Sequence, residues 1–242
     1  SSITKPLPFI IPHTKQYRSS WIIKTGLFVY DHLGGKTVIP KSKIINLNKD
    51  FPELLKNKFN KGFQYYDLQV DDKKLTELNA LDAKKNNALI LEDSKVLKVE
   101  RLENYWKNYL EKNQIFLSKI LINASGPWVN DVANNIIKIP SKDSIRLVKG
   151  SHIILNKLYD QEVAFTLQNK DKRVIFVIPY KSNFSLIGTT EIEVNSPENP
   201  KINNAEIEYL IKSVNNYFTK QISKKDIIKT YSGIRTLFES YK

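Results

Sequence analysis

From residue 145 onward, four apolar segments of β character follow one another: 145–155, 163–168, 173–180 and 184–194. Only short polar connections separate them. Parallel strands need a crossover of a dozen or more residues, so strands this close in sequence pair antiparallel. An antiparallel sheet filling the second half of the chain is therefore the strongest constraint on the fold. The first of these segments is interrupted in its middle by Lys149-Gly150-Ser151-His152. A strand that gives up apolar packing for a glycine, a hydroxyl and an imidazole brings its backbone close to something. Three further polar interruptions of apolar runs belong with it: Ala124-Ser125-Gly126-Pro127-Trp128, Gly188-Thr189-Thr190-Glu191 and Tyr231-Ser232-Gly233-Ile234-Arg235.

The first half is mixed. Residues 1–20 carry Pro6, Pro8 and Pro12 and read as extended and irregular. Trp21, Ile22, Thr25, Phe28, Val29 and Leu33 lie close to helical spacing, and Gly34-Gly35 is the expected stop. Residues 36–60 read as loop with a short helix after Pro52. Residues 62–70 alternate as a strand, and Asp71-Asp72 caps a helix over 73–85. A short buried strand is expected at 88–91 and a hairpin at 96–102 and 105–110. An apolar strand over 115–123 runs into Ala124-Ser125-Gly126, with a helix opening near Pro127. After the strands, 204–219 is an amphipathic helix with Ile207, Leu210, Ile211, Val214 and Phe218 on one face, and 227–231 is a last strand. The fold class is α/β to α+β, with a β-rich second half.

At 242 residues the chain can bury a sizeable core as one large domain or two small ones. With no cysteine it has neither disulfides nor a thiol nucleophile, and three scattered histidines do not make a zinc site. It holds no methionine, even at position 1, so it is expected to be part of a longer translation product. The net charge of +13 suits anionic partners, although a compositional excess of lysine is its simpler cause. Neither arginine clusters nor an RNA-recognition signature accompanies it, so nucleic acid is not an expected partner. The longest apolar runs fall far short of a membrane span.

Each polar interruption has a chemical and a plain reading. The Ala124-Ser125-Gly126 turn before a helix presents backbone N–H groups to an anion, and is also what an ordinary strand–turn–helix corner carries. His152 can relay a proton near neutral pH, or be a satisfied core or surface histidine. The planar fork of Arg235 suits phosphate or carboxylate, or a surface ion pair. Thr189 and Thr190 can face a ligand, or reflect β propensity alone. His13 and His32 receive no role. The eight glycines show neither G-x-G-x-x-G nor a P-loop spacing.

Order and wording add what single motifs lack. Residues 21–34, Val70-Asp71-Asp72, Ile122-Asn123 with the turn to Trp128, 145–152, 173–179, 187–190 and 231–235 resemble, in family order, the FAD-dependent glycerol-3-phosphate dehydrogenases of the D-amino-acid-oxidase-like flavoproteins. The resemblance implies an incomplete Rossmann-like FAD-binding domain plus an antiparallel-sheet substrate domain. It divides the chain into a substrate-side segment (1–60), a partial FAD-binding domain (61–140) and the β-rich substrate domain (141–242). It implies oxidation of sn-glycerol 3-phosphate to dihydroxyacetone phosphate, with hydride passing from C2 to flavin and electrons to a quinone acceptor. His152 would be the acid–base group, and Arg235 would hold the phosphate or polarise the C2 oxygen. Thr189 and Thr190 would lie by the substrate, and Ala124, Ser125, Gly126, Trp128 and Gly188 by FAD. A cytoplasmic protein, peripheral at the inner face of the cytoplasmic membrane, is the implied setting.

The departures are specific. Ser125 stands where the family has threonine, Glu191 where it has aspartate, and Lys74 where arginine is common. The family's N-terminal G-x-G-x-x-G and the Gly-Gly-Lys-Thr segment beyond Arg235 are missing, and 236–242 diverge. The expectation is a central fragment, completed in a longer chain or by a second polypeptide. A non-catalytic truncated remnant and another flavin-dependent oxidoreductase of the same superfamily are the alternatives.

Overall fold

Alternation of apolar side chains decides where the strands form and which face each buries. The structure is a computed structural model describing residues 3–16, 18–33, 39–139 and 145–238. In order the elements are β1 (Thr4–His13), α1 (Ser20–Leu33), β2 (Lys43–Asn46), α2 (Leu47–Asp50), β3 (Lys61–Val70), α3 (Asp72–Lys85), β4 (Val96–Arg101), β5 (Trp106–Leu110) and β6 (Ile115–Ser118). Then come α4 (Val129–Asp131), β7 (Ile145–Asn156), β8 (Ala164–Gln168), β9 (Val174–Tyr180), β10 (Phe184–Gly188), β11 (Ile192–Val194), α5 (Asn204–Tyr217) and β12 (Ile227–Phe238). They form two compact units interleaved along the chain. One comprises Ser1–Asp72, Gly150–Glu191 and Lys201–Ser232; the other comprises Lys73–Lys149, Ile192–Pro200 and Gly233–Lys242.

In the first unit the strand order is β7-β10-β9-β8-β1-β3-β2, antiparallel except for β1 beside β8. The expected antiparallel run in the second half is present, and the first three strands of the chain extend it into a larger mixed sheet. Residues 4–13 are therefore not irregular. They pair with β3 from Thr4↔Val70 to His13↔Lys61. Pro6, Pro8 and Pro12 are all even-numbered, so the missing N–H groups fall on one edge and the other ladder stays intact. Leu7, Ile10 and Ile11 supply the burial that holds the strand in place.

One face of this sheet is closed by α5. Leu210, Val214 and Tyr217 are buried against Ile153, Leu155, Phe165, Leu167, Ile175, Val177 and Ile187. These sheet residues recur at every second position, as the pleat requires. Asn203 caps α5: its side chain accepts from the N–H of Glu206, and the Glu206 carboxylate accepts from the N–H of Asn203. On the other side of β1 and β3, α1 packs through Ile23 and Leu27 on Ile11 and Phe63. The Gly34-Gly35 stop lies outside the described residues, and α1 is described as far as Leu33.

Residues 39–60 hold more order than a loop. β2 leads into α2, where the Asn46 side chain accepts from the N–H groups of Asn48 and Lys49. The expected helix after Pro52 is a turn, because the capped helix lies upstream and ends before the proline.

In the second unit, β4, β5 and β6 form a separate antiparallel sheet, and β11 pairs with residues 147–149 of β7. The expected hairpin is its first two strands. Residues 88–91 are not a buried strand: Leu89, Ile90 and Leu91 are exposed, and among the described residues no neighbour offers them a ladder. The strand expected over 115–123 ends at Ser118. After it the chain leaves the sheet, with Ile120 and Ile122 exposed, on its way to the 124–126 turn.

Candidate functional site

In the first unit the site is built where β7 and β10 end their pairing, at Gly188↔His152. A Cβ at residue 188 would lie 2.1 Å from Cδ2 and 2.7 Å from Cγ and Nε2 of His152. The imidazole thus rests directly on the backbone of Gly188, and only glycine leaves it room. Its other side is covered by Tyr231 of β12, whose ring stacks at 4.7 Å between centroids and 10° between planes. Burial raises the Tyr231 phenol above its usual range, and Tyr180 and Asp72 act in the same sense. It therefore stays protonated at neutral pH and faces the imidazole as a neutral ring. The Gly188–Thr189 peptide is cis.

Beneath this lies a polar knot that sequence reasoning does not find. Glu206 of α5 carries a polar side chain yet is only 3% exposed. Its Oε1 accepts from Ser151 Oγ at 2.8 Å and from Thr190 Oγ1 at 2.7 Å, and its Oε2 accepts from the Asn203 N–H at 2.8 Å. The Ser151 N–H donates to Thr190 Oγ1 at 3.0 Å, and the Thr190 N–H donates to the Ser151 carbonyl at 3.2 Å. Ser151 Oγ and Ser232 Oγ share a further bond of 2.8 Å. A buried carboxylate is stable only when such donors replace its water. The signal available in the sequence was Asn203-x-x-Glu206, a capping-box spacing whose glutamate also bonds across to the sheet.

Ser151 and His152 are consecutive in a strand and point to opposite faces. The face away from α5 carries His152, Phe176, Thr166, Tyr65 and Phe9. Phe9 meets Tyr65 and Phe176 in aromatic contacts at 5.3 and 5.9 Å, and Tyr65 Oη shares a hydrogen bond of 3.1 Å with Thr166 Oγ1. Of the residues singled out in the sequence, His152, Gly188, Thr189 and Thr190 are thus gathered in one place. Thr189 is partly exposed, whereas Thr190 is buried with its hydroxyl committed to Glu206.

The second unit holds the others. Ala124 and Ser125 lead into a 3-10 turn at Gly126–Trp128, followed by α4 and a π-helical turn at Val132–Ile137. Asn123 staples this corner: its Oδ1 accepts from Ser125 Oγ at 2.7 Å, and its Nδ2 donates to the Val129 carbonyl at 2.9 Å. Gly126 has φ +57°, which favours glycine, and nothing lies within 4 Å of where its Cβ would stand. Trp128 donates from Nε1 to Glu198 at 2.7 Å. A cleft of about 570 Å³ opens over Val96, Val99, Ile122, Ala124, Ser125 and Trp128. That volume is within the range usual for cofactor sites. An apolar cleft beside an open glycine turn suits a planar group such as the ring of a flavin. Arg235 lies exposed on β12.

Comparison with known proteins bears on the family and the fold. The family model described as DAO, FAD dependent oxidoreductase, matches residues 31–241. The D-erythritol 1-phosphate dehydrogenase of Brucella abortus (strain 2308) is 38% identical over 245 residues, covering 98% of this chain and 49% of its own length. A glycerol-3-phosphate dehydrogenase of Pseudomonas tolaasii is 39% identical over 240 residues, covering 97% and 46%. The chain thus spans about half the length of the curated relatives it matches. The crystal structure of glycerol-3-phosphate dehydrogenase from Bacillus halodurans complexed with FAD superposes with a TM-score of 0.76 at 20% identity, over 98% of this chain and 45% of that one. The chain belongs to the DAO family of FAD-dependent oxidoreductases.

Proposed function

We propose that this chain forms part of an FAD-dependent dehydrogenase that oxidises sn-glycerol 3-phosphate to dihydroxyacetone phosphate. The observation that carries the reading is the fixed imidazole of His152, clamped between Gly188 and Tyr231 on the sheet face opposite α5. FAD, when bound, supplies the acceptor for the hydride that leaves C2. His152 takes the proton of the C2 hydroxyl as general base. Arg235 pairs with the phosphate or the C2 oxygen, where a planar, permanently charged fork suits either. Thr189 faces substrate, and Thr190 supports the wall from behind. Ala124, Ser125, Gly126, Trp128 and Gly188 would hold the cofactor. The division of labour is a cofactor side centred on 61–140 and a substrate side built from 1–60 and 141–242.

Electrons then pass to a quinone at the inner face of the cytoplasmic membrane, which the protein touches from outside the bilayer. Among the described residues no helix is long and apolar enough to cross a membrane, and the net charge of +13 favours an anionic surface and an anionic substrate. A longer polyol phosphate is the second reading, favoured by the D-erythritol 1-phosphate dehydrogenase relative. The test is a dye-linked assay of the protein expressed from its own gene, with both polyol phosphates as substrates. Turnover of glycerol 3-phosphate with the higher kcat/KM supports the first reading, and a preference for erythritol 1-phosphate supports the second. Turnover of neither rejects both.

A further inference from the structure

The registers on the two sides of the site do not match. β10 ends at Gly188↔His152, and β11 begins at Ile192↔Lys149. Residues 189–191 therefore face only 150 and 151, so one extra residue is accommodated as a bulge. Bulges bend a strand and re-aim its side chains, and the extra residue must be held by something other than the ladder. Here the holding groups are visible. Thr190 turns its hydroxyl inward to Glu206, and Ser151 meets the same carboxylate oxygen from β7. Ser232 ties β12 to Ser151, one residue from Tyr231, whose ring covers the imidazole. The carboxylate thus bonds directly to the segments at 151 and 190, and reaches the one at 232 through Ser151. Each is adjacent to, or within two residues of, a wall of the His152 pocket: His152 itself, Gly188 and Tyr231.

We propose that Glu206 is a positioning residue for His152, acting through Ser151, Thr190 and Ser232 to keep the ring seated between Gly188 and Tyr231. It does not itself reach the reacting atoms, being on the opposite face of the sheet. Helix capping alone would need only Oε2, which accepts from Asn203. The Oε1 atom carries the positioning role, and its two hydroxyl partners belong to β7 and the bulge. Misplacing a catalytic group by an ångström costs on the order of a hundredfold in rate. This inference rests on the proposed role of His152, but its seating is measurable without turnover.

The test uses the FAD-loaded protein and its Glu206→Gln variant, which keeps the side-chain volume and removes the charge. The first readout is the imidazole signal of His152 in a heteronuclear spectrum of histidine-labelled protein, assigned by its disappearance in His152→Asn. It is expected to shift or broaden in Glu206→Gln while the signals of His13 and His32 stay in place. The second readout is kinetic: kcat falls about tenfold to a hundredfold with KM within twofold. An unmoved His152 signal in folded Glu206→Gln overturns the proposal, as does a kcat within twofold of the parent where His152→Asn has itself lost kcat. If Glu206→Gln does not fold, Ser151→Ala removes only one hydroxyl from the knot. A displaced His152 signal in that variant then supports the proposal, and an unmoved one overturns it. Should His152→Asn retain full kcat, the role of His152 fails, while the seating by Glu206 is still decided by the spectrum.

Discussion

A methyl group at residue 188 would stand 2.1 Å from the His152 ring, far inside contact distance, and the ring is pinned on its other side by Tyr231. Gly188→Ala must therefore tilt the imidazole or part β7 from β10. We expect kcat to fall on the order of a hundredfold, with a stability cost of about 1–3 kcal/mol, the usual range for overpacking. Steady-state kinetics and thermal melts of the purified variant check both. Arg235→Ala is expected to act differently. If the guanidinium pairs with phosphate throughout the reaction, KM for glycerol 3-phosphate rises at least tenfold while kcat stays within a fewfold, since a charge-assisted hydrogen bond is worth about 1.5–3 kcal/mol. An unchanged KM would remove the phosphate role. Gly188 was readable in the sequence as a polar break in an apolar run. What it was for was not readable, because the ring it accommodates belongs to a different strand, β7.

At the scale of elements, α5 was the most legible. Its apolar positions repeat at helical spacing. Leu210, fully buried between α5 and the sheet, should cost about 2–5 kcal/mol on change to alanine, measured by denaturant unfolding. A loss below about 1 kcal/mol would mean that the helix is not the lid on this face. The strands from 145 onward were nearly as clear, because alternation and short connections leave one pairing mode, although the run over 184–194 is broken at 189–191 into β10 and β11. β1 was not. Three prolines suggest irregular chain until their common parity is noticed, and β1 finds its partners far along the chain, at Lys61–Val70 and Ala164–Phe165. The apolar run at 88–91 misled in the opposite sense, since hydrophobic residues alone do not supply a ladder. The Glu206 knot joins β7, β12, the bulge and α5, so no local window of sequence contains it.

For the molecule as a whole, buried tyrosines link stability to alkaline pH. Tyr159 donates to the carbonyls of Val163 and Val177 at 2.9 and 3.0 Å in the middle of the first unit's core. Burial, and secondarily Glu162, pushes its phenol well above the usual value of 10.0. The folded state thus holds this proton longer than the unfolded chain does. The contribution is fully present below about pH 10 and is lost as pH rises towards the folded-state value. Tyr65 acts in the same direction, again through burial first. Tyr159→Phe should make the decline above pH 10 shallower in urea titrations. It should also cost about 1–3 kcal/mol at neutral pH, where two carbonyls lose their donor. An identical alkaline slope would show that Tyr159 is not the group concerned.

Family membership follows from nearly the whole chain, whereas catalysis turns on one imidazole. The direct measurement is anaerobic mixing of the flavin-loaded protein with sn-glycerol 3-phosphate, following the loss of oxidised-flavin absorbance. The account predicts rapid bleaching in the parent protein and bleaching slowed at least a hundredfold in His152→Ala, with flavin still bound. Flavin that stays oxidised in the parent, or that bleaches as fast without His152, would contradict it.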